Sequence, residues 1–469
     1  MSPHLSPGRR LGALALIALS ACDPVKASLD SGAILHTGAP DSGAPDSATP
    51  SAPDSGETGS IDIPETGDTG GASSPACALE DGALPLQAEG EFLARDMEIS
   101  GTRARCFTAL HAAAGAAGST LRVGLETWTG AGGATLTVTD LLGATLSGPL
   151  SLEPGQGASF SLVQTGEVFL RLAPTDPEED ANTYTLSVSC EAGCDAEYTR
   201  YPIVLMHGMG GTDTYLGLLD YYFGVADQLS AAGYRVETPT VDAFAPIADR
   251  AAQWSEALHA LAEAGVGRRF VLIAHSQGGL DARYLLSTLG EDSVVALVTV
   301  ASPHRGSLIA DAANGLLELG PTDGALLDAA LAGLAGLIGL EGDALSAQVE
   351  DLTTASMEAF NAANPDVDGV YYSSWAGHSC GALDWGCQWS NHGEIVDPLL
   401  SGTGLLLDWL DGDNDGLVSV ESATWGDYQG ELPADHLDEV GQIADVWNPS
   451  FDHLQFYLDE ARRMAALGY

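Results

Sequence analysis

Phe270-Val271-Leu272-Ile273-Ala274-His275-Ser276-Gln277-Gly278-Gly279 runs from four apolar side chains into a serine flanked by small residues. A short continuous apolar run suits a strand buried on both faces, and the pattern over 277–289 is helical. A serine at such a strand-to-helix turn reads as a nucleophile elbow. The backbone folds back too closely there for bulky side chains two residues before and two after, which Ala274 and Gly278 satisfy. The turn exposes the serine oxygen and sets it at a helix N-terminus, whose amides favour developing negative charge.

Outward from this turn, strands and helices alternate. Residues 203–206 and 294–300 are largely apolar strand runs, 234–238 reads as a strand, and 248–265 as a helical pattern; 219–232 is amphipathic. Alternation of this kind argues a mostly parallel sheet covered on both faces, the α/β class. It begins near residue 197 and occupies 197–469. Before it, over 77–196, the period changes to two: 121–125, 134–138, 167–172 and 183–188 are short β-rich runs separated by Gly- and Pro-rich turns. These predict a small all-β sandwich. Its last two runs resemble the end of bacterial pre-peptidase C-terminal domains, and His111 reads as a structural residue within it.

The first 76 residues differ again. Ala-Pro-Asp-Ser recurs at 39–42, 44–47 and 52–55, and 23–76 is too poor in apolar side chains to fold, so it reads as a disordered tether. Arg9 and Arg10 precede an apolar run over 11–19 that is too short to span a bilayer, which reads as an export signal over 1–22. Leu19-Ser20-Ala21-Cys22 resembles the bacterial lipobox, which implies lipidation of Cys22 and an exported, membrane-anchored protein. Six cysteines remain: Cys77, Cys106, Cys190, Cys194, Cys380 and Cys387. An even number in an oxidising compartment predicts disulfides, with Cys380 and Cys387 paired locally and the other four left open. The formal net charge of −48, from 17 basic and 65 acidic residues, excludes nucleic acid and anionic surfaces as partners.

Three segments in order, His207-Gly208-Met209, Ala274 to Gly279, and Ala301-Ser302-Pro303-His304-Arg305-Gly306-Ser307, resemble the bacterial triacylglycerol lipases of the Pseudomonas and Burkholderia type. The likeness spans about 200–469. It implies an α/β-hydrolase fold with a helical lid and a serine carboxylic ester hydrolase acting through a Ser-His-Asp triad. The order in that fold is serine, acid, histidine. The segments His436-Leu437-Asp438-Glu439 and Asn414-Asp415-Gly416 match those carrying the family's histidine and aspartate, giving Ser276, Asp415 and His436. His453 is a reserve base, and His304 falls where the family has a structural histidine. A rival reading of 411–416 is half an EF-hand loop, but its twelfth position is Ser422 where a bidentate glutamate is needed. Backbone amides of Gln277 and Met209 are the expected oxyanion hole; His207 would organise the loop.

The lipases resembled hold a structural calcium beside the catalytic histidine, and the matching positions are Asp438, Gln442 and the carbonyl of Val446, with Asp397 as the remaining ligand. Oxygen donors suit that hard cation. A Leu-, Ala- and Gly-rich insertion, within about 310–352, is read as the lid, with a buried core helix as its rival. A lid favours acylglycerols at a lipid–water interface. A dedicated membrane-bound foldase, which such lipases often need, is a candidate partner. The same triad would serve a short-chain esterase, a phospholipase or acyltransferase, or a polyester hydrolase. A non-catalytic surface lipoprotein that binds through its β-rich domain is the alternative of another class.

Overall fold

The computed structural model describes residues 78–79, 84–85, 97–103, 107–130, 132–176, 182–193, 196–211, 221–317, 349–381, 385–391, 394–442 and 451–469. The export signal with Cys22, the tether, Cys77, Cys106, Cys194, Val446 and the central part of the expected lid, 318–348, lie outside the described residues.

The β-rich region forms two sheets. In one, strands Phe107–Gly115, Gly166–Pro174, Ala134–Thr139 and Thr145–Leu152 lie side by side and antiparallel, with the two-residue strands Ala78–Leu79 and Leu84–Pro85 parallel to the first of them. The other orders Met97–Arg103, Asn182–Ala192, Thr120–Trp128 and Gln156–Ser161, all antiparallel. The period-two alternation explains the packing. Val123, Leu125, Leu186 and Val188 from one sheet meet Leu136, Val138, Leu170 and Leu172 from the other in one core, all buried. His111 is fully buried there, its Nε2 2.9 Å from the Tyr184 hydroxyl. This region rests directly on the next: the Thr165 hydroxyl donates to the Gly233 carbonyl at 2.8 Å, Arg200 pairs with Glu167 at 3.1 Å, and the Arg268 guanidinium lies 5.2 Å over the Phe169 ring.

From residue 203 a six-stranded, wholly parallel sheet takes over, in the order Val236–Glu237, Ile203–Met206, Phe270–His275, Val294–Val300, Tyr371–Gly377, Asp427–Leu432. Every residue of the two central strands Phe270–His275 and Val294–Val300 is buried, as apolar runs on both faces require. Alternate side chains pack into two cores. Ile203, Leu205, Val271 and Ile273 meet the helices Val225–Ala231 and His453–Leu467. Val204, Met206, Phe270 and Leu272 meet Ile247–Glu263 and Gln277–Ser287, with Trp254 at the centre. The fold is that of an α/β-hydrolase, with an antiparallel β region before it. Of the expected lid, the described ends are the helix Leu308–Ala313, whose Ile309 and Ala312 pack on Leu406 and Leu407, and the short helix Glu350–Leu352.

Candidate active site

The strand Phe270–His275 ends at the sheet's C-terminal edge, and the helix Gln277–Ser287 starts one residue later. Ser276 bridges them with φ 54° and ψ −129°. Among the described non-glycine residues only Ser276 and Ala301 have positive φ, a strained state that surrounding structure must enforce. The enforcement is close packing. A Cβ on Gly278 would lie 2.7 Å from the Met206 carbonyl oxygen and 2.8 Å from that of His207, and one on Gly208 would lie 2.8 Å from the Ser276 Cβ. Gly278→Ala is therefore expected to overpack rigid backbone, costing roughly 1–3 kcal/mol. A lower melting temperature together with reduced turnover checks it.

His436 follows the edge strand Asp427–Leu432 and reaches back over the elbow. Its Nε2 lies 3.0 Å from the Ser276 Oγ and its Nδ1 2.8 Å from Asp415 Oδ2. Asp415 is 1% exposed, and its Oδ1 accepts the backbone N–H groups of Leu417 and Val418 at 2.8 and 2.7 Å. The backbones are joined as well, the His436 N–H donating to the Asp415 carbonyl at 3.0 Å. The three residues expected from the sequence thus form one hydrogen-bonded line. The other described histidines after the elbow have different partners. His304 is buried between Thr299 and Arg283 and stacks on Trp425, His453 Nε2 donates to the Phe223 carbonyl, and His378 lies 2.9 Å from Glu431. Burial, then the neighbouring Arg283, hold the His304 imidazole well below its ordinary range. Ser422, at the twelfth position of the rival calcium-loop reading, donates to the Gly306 carbonyl, and the Asp413 side chain is 69% exposed.

Beneath the serine lies a pair that sequence reasoning missed. His275 is buried, with Nδ1 2.7 Å from the Tyr221 hydroxyl and Nε2 2.8 Å from Glu439 Oε2; its ring centroid is 4.6 Å from that of His436. Burial first, then His436, lower the His275 pKa well below the histidine range. Glu439 is fully buried and 3.8 Å from His436 Nδ1; burial, then Asp415, push its carboxyl well above the usual range. The signal was the glutamate three residues after His436, one helical turn away.

The loop 207–211 is fixed from below. His207 Nε2 accepts the Val241 N–H at 3.1 Å, so His207 organises the loop. Arg250, fully buried, donates to the His207 carbonyl at 2.6 Å, to the Asp242 carbonyl at 2.6 Å and to Asp281 Oδ2 at 2.7 Å, where Trp254 Nε1 also donates at 3.2 Å. Burial raises the Asp281 carboxyl to about 6 even with Arg250 against it. Neither Arg250 nor Asp281 belongs to a motif, since each sits within an ordinary helical pattern.

At the expected cation position, the carboxylates that converge are Glu394, Asp435 and Asp438, each offering an oxygen within 4.8 Å of the others. Asp438 was expected there. Asp397, assigned to the fourth place from the sequence, is not in that cluster: its Oδ1 accepts the Leu399 N–H at 2.7 Å, and its own N–H donates to Asp435. The Gln442 side-chain amide donates to the Tyr221 carbonyl at 3.1 Å. Cys380 and Cys387 form a disulfide with Cα atoms 5.7 Å apart, and Cys190 is disulfide-bonded too.

Comparison with known proteins adds to this geometry. The family model described as palmitoyl protein thioesterase matches residues 202–325. A triacylglycerol lipase of Pseudarthrobacter phenanthrenivorans is 29% identical over 294 residues, 53% of this chain and 91% of that protein. One from Pseudomonas fragi is 29% identical over 298 residues, 58% of this chain and 99% of its own length. Triacylglycerol lipase 2 of Saccharomyces cerevisiae is 30% identical over 271 residues, 54% of this chain and 75% of that protein. The chain belongs to the triacylglycerol lipase family. As a member of that family it is a carboxylic ester hydrolase. The lipases named match a little over half of this chain.

Proposed function

We propose that this lipase-family chain hydrolyses lipid esters, acylglycerols foremost, by a two-step acyl transfer through Ser276, His436 and Asp415. The observation that carries the reading is His436 standing between Asp415 and Ser276 at 2.8 and 3.0 Å. A serine hydroxyl is a weak nucleophile until a base takes its proton. His436 Nε2 accepts that proton as Oγ attacks the ester carbonyl, then returns it to the leaving alcohol. Asp415, its Oδ1 already saturated by two amides, presents Oδ2 to Nδ1, fixing the tautomer and stabilising the imidazolium. The amides of Gln277 and Met209 receive the oxyanion. Water, activated by the same histidine, releases the acid. The acylglycerol substrate is inferred from the relatives named above. Its test is hydrolysis of an emulsified triglyceride titrated through its solubility limit, beside a soluble short-chain ester. A jump in rate as emulsion appears is the expected result. Cleavage of the soluble ester alone would overturn the acylglycerol reading.

We propose a structural Ca²⁺ held by Glu394, Asp435 and Asp438. A donor set of three converging carboxylates is the chemistry a hard cation takes. The ion would neutralise the charge concentrated beside His436 and pin its loop. A ligand binding only the folded state stabilises it by about 2.7 kcal/mol at a concentration 100 times Kd. Chelation should therefore lower the melting temperature, calcium should restore it, and Glu394→Gln should abolish the response. A melting temperature indifferent to chelator and calcium would contradict the site. Export and anchoring through Cys22 belong to the same proposal, supported by the basic-apolar-cysteine pattern of residues 9–22.

A further inference from the structure

Tryptophan is normally a buried residue, yet Trp385, Trp389 and Trp409 are 78%, 93% and 70% exposed. Trp385 and Trp389 are one turn apart on the helix Trp385–Ser390, so both project from one face. On the helix Ser401–Leu410, Trp409 lies one turn beyond Leu405, itself 58% exposed, while Leu406 and Leu407 are buried on the opposite side. Both helices are tied to the segment that carries Asp415. The Asn414 carbonyl accepts the Ser379 N–H at 2.9 Å, and its side-chain amide donates to Asp408 at 2.8 Å. The first helix is bound to that same corner by the disulfide from Cys387 to Cys380. Both helices thus connect to segments that follow the C-terminal end of the strand Tyr371–Gly377, and in a parallel sheet that end lies on the same edge as the C-terminal end of Phe270–His275, where Ser276 follows.

Charge selects what they meet. No lysine or arginine occurs between Arg305 and Arg462, and Asp408, Asp411 and Asp413 flank Trp409. Proteins that dock on anionic lipid place basic side chains among their aromatic anchors, and the stretch that carries all three tryptophans supplies none. Exposed indoles whose charged sequence neighbours are acidic suit an electrically neutral interface, where indole sits at headgroup level with its N–H solvated.

We infer that Trp385, Trp389 and Trp409 anchor the enzyme on a neutral lipid–water interface, glyceride or phosphatidylcholine, with the Ser276 edge of the sheet turned toward it. The substrate half of this statement rests on the ester-hydrolase reading; the docking half does not and is read without catalysis. The experiment uses the full chain carrying Cys22→Ser, so that an N-terminal lipid cannot itself partition. Co-sedimentation with phosphatidylcholine vesicles is measured for that protein, for Trp385→Ala/Trp389→Ala and for Trp409→Ala. Hydrolysis of soluble p-nitrophenyl butyrate is followed in parallel. Losing one inserted aromatic is expected to weaken partitioning about tenfold, with soluble-ester turnover unchanged. Trp385→Phe/Trp389→Phe should retain most of the binding, and doping the vesicles with phosphatidylglycerol should reduce it. Undiminished binding by the alanine variants would overturn the inference, as would binding that strengthens with phosphatidylglycerol. So would variants that alter only self-association in sedimentation velocity, because the face would then belong to a second copy. Absence of soluble-ester turnover in the parent protein would count against the catalytic reading and leave the vesicle result standing.

Discussion

Ser276→Ala is expected to lower ester turnover by about 10⁵-fold or more, leaving only what binding and the oxyanion amides supply. The magnitude follows from the geometry. His436 Nε2 has Ser276 Oγ as its partner at 3.0 Å, so removing the hydroxyl removes the nucleophile and leaves the base nothing to activate. His436→Ala should cost about as much, and the double variant little more than either single one, because the residues act as a unit. Folding should not suffer. Ser276 holds a strained backbone, with φ 54°, and alanine adds no atom to the crowded elbow. A melting temperature within about a degree of the parent, measured beside the rate, separates lost chemistry from lost structure.

Arg250→Met carries the second large effect, on stability first and on rate through it. The arginine is fully buried and closes three links at once, to Asp281, to the Asp242 carbonyl and to the His207 carbonyl. Methionine fills much of the volume but leaves the Asp281 carboxylate without its cation. Breaking one side of a buried pair costs about 3–5 kcal/mol, which for a domain of this size is roughly 6–20 °C in melting temperature. The released His207 carbonyl precedes Gly208 and Met209. Loss of an oxyanion donor slows acyl transfer by about 10²–10³-fold, so turnover by the surviving folded fraction should fall as well. Arg250→Met/Asp281→Leu should recover stability without recovering rate. Unchanged melting of the single variant would show that this network does not hold the loop.

The central sheet was legible because it is buried on both faces. Phe270 to Ile273 are apolar throughout and Val294 to Val300 apolar but for Thr299, and the first run has few alternatives once a Ser-Gln-Gly-Gly turn follows. The edge strand Asp427–Leu432 was not legible. Its sequence Asp-Tyr-Gln-Gly-Glu-Leu is mostly polar, because with one neighbour and a half-exposed face it needs no apolar side chain until Leu432. The hydrogen-bonded line of Ser276, His436 and Asp415 was legible because fold order and segment chemistry both point to those three residues. The residues beneath it were not: His275 meets Glu439 across 164 residues of sequence and Arg250 meets Asp281 across 31. The proposed cation position shows the same limit. The family likeness pointed to Asp397, whose Oδ1 accepts the Leu399 N–H, whereas the carboxylates that converge are those of Glu394, Asp435 and Asp438.

The central claim is that Ser276 is the nucleophile activated by His436, and covalent trapping tests it most directly. A p-nitrophenyl alkylphosphonate should label the protein once, with release of one nitrophenol, and peptide mass spectrometry should place the phosphonyl group on Ser276. Labelling should be abolished in Ser276→Ala and slowed severely in His436→Ala. A phosphonyl group on any other residue, or full ester turnover by a protein whose Ser276 is blocked, would contradict the account.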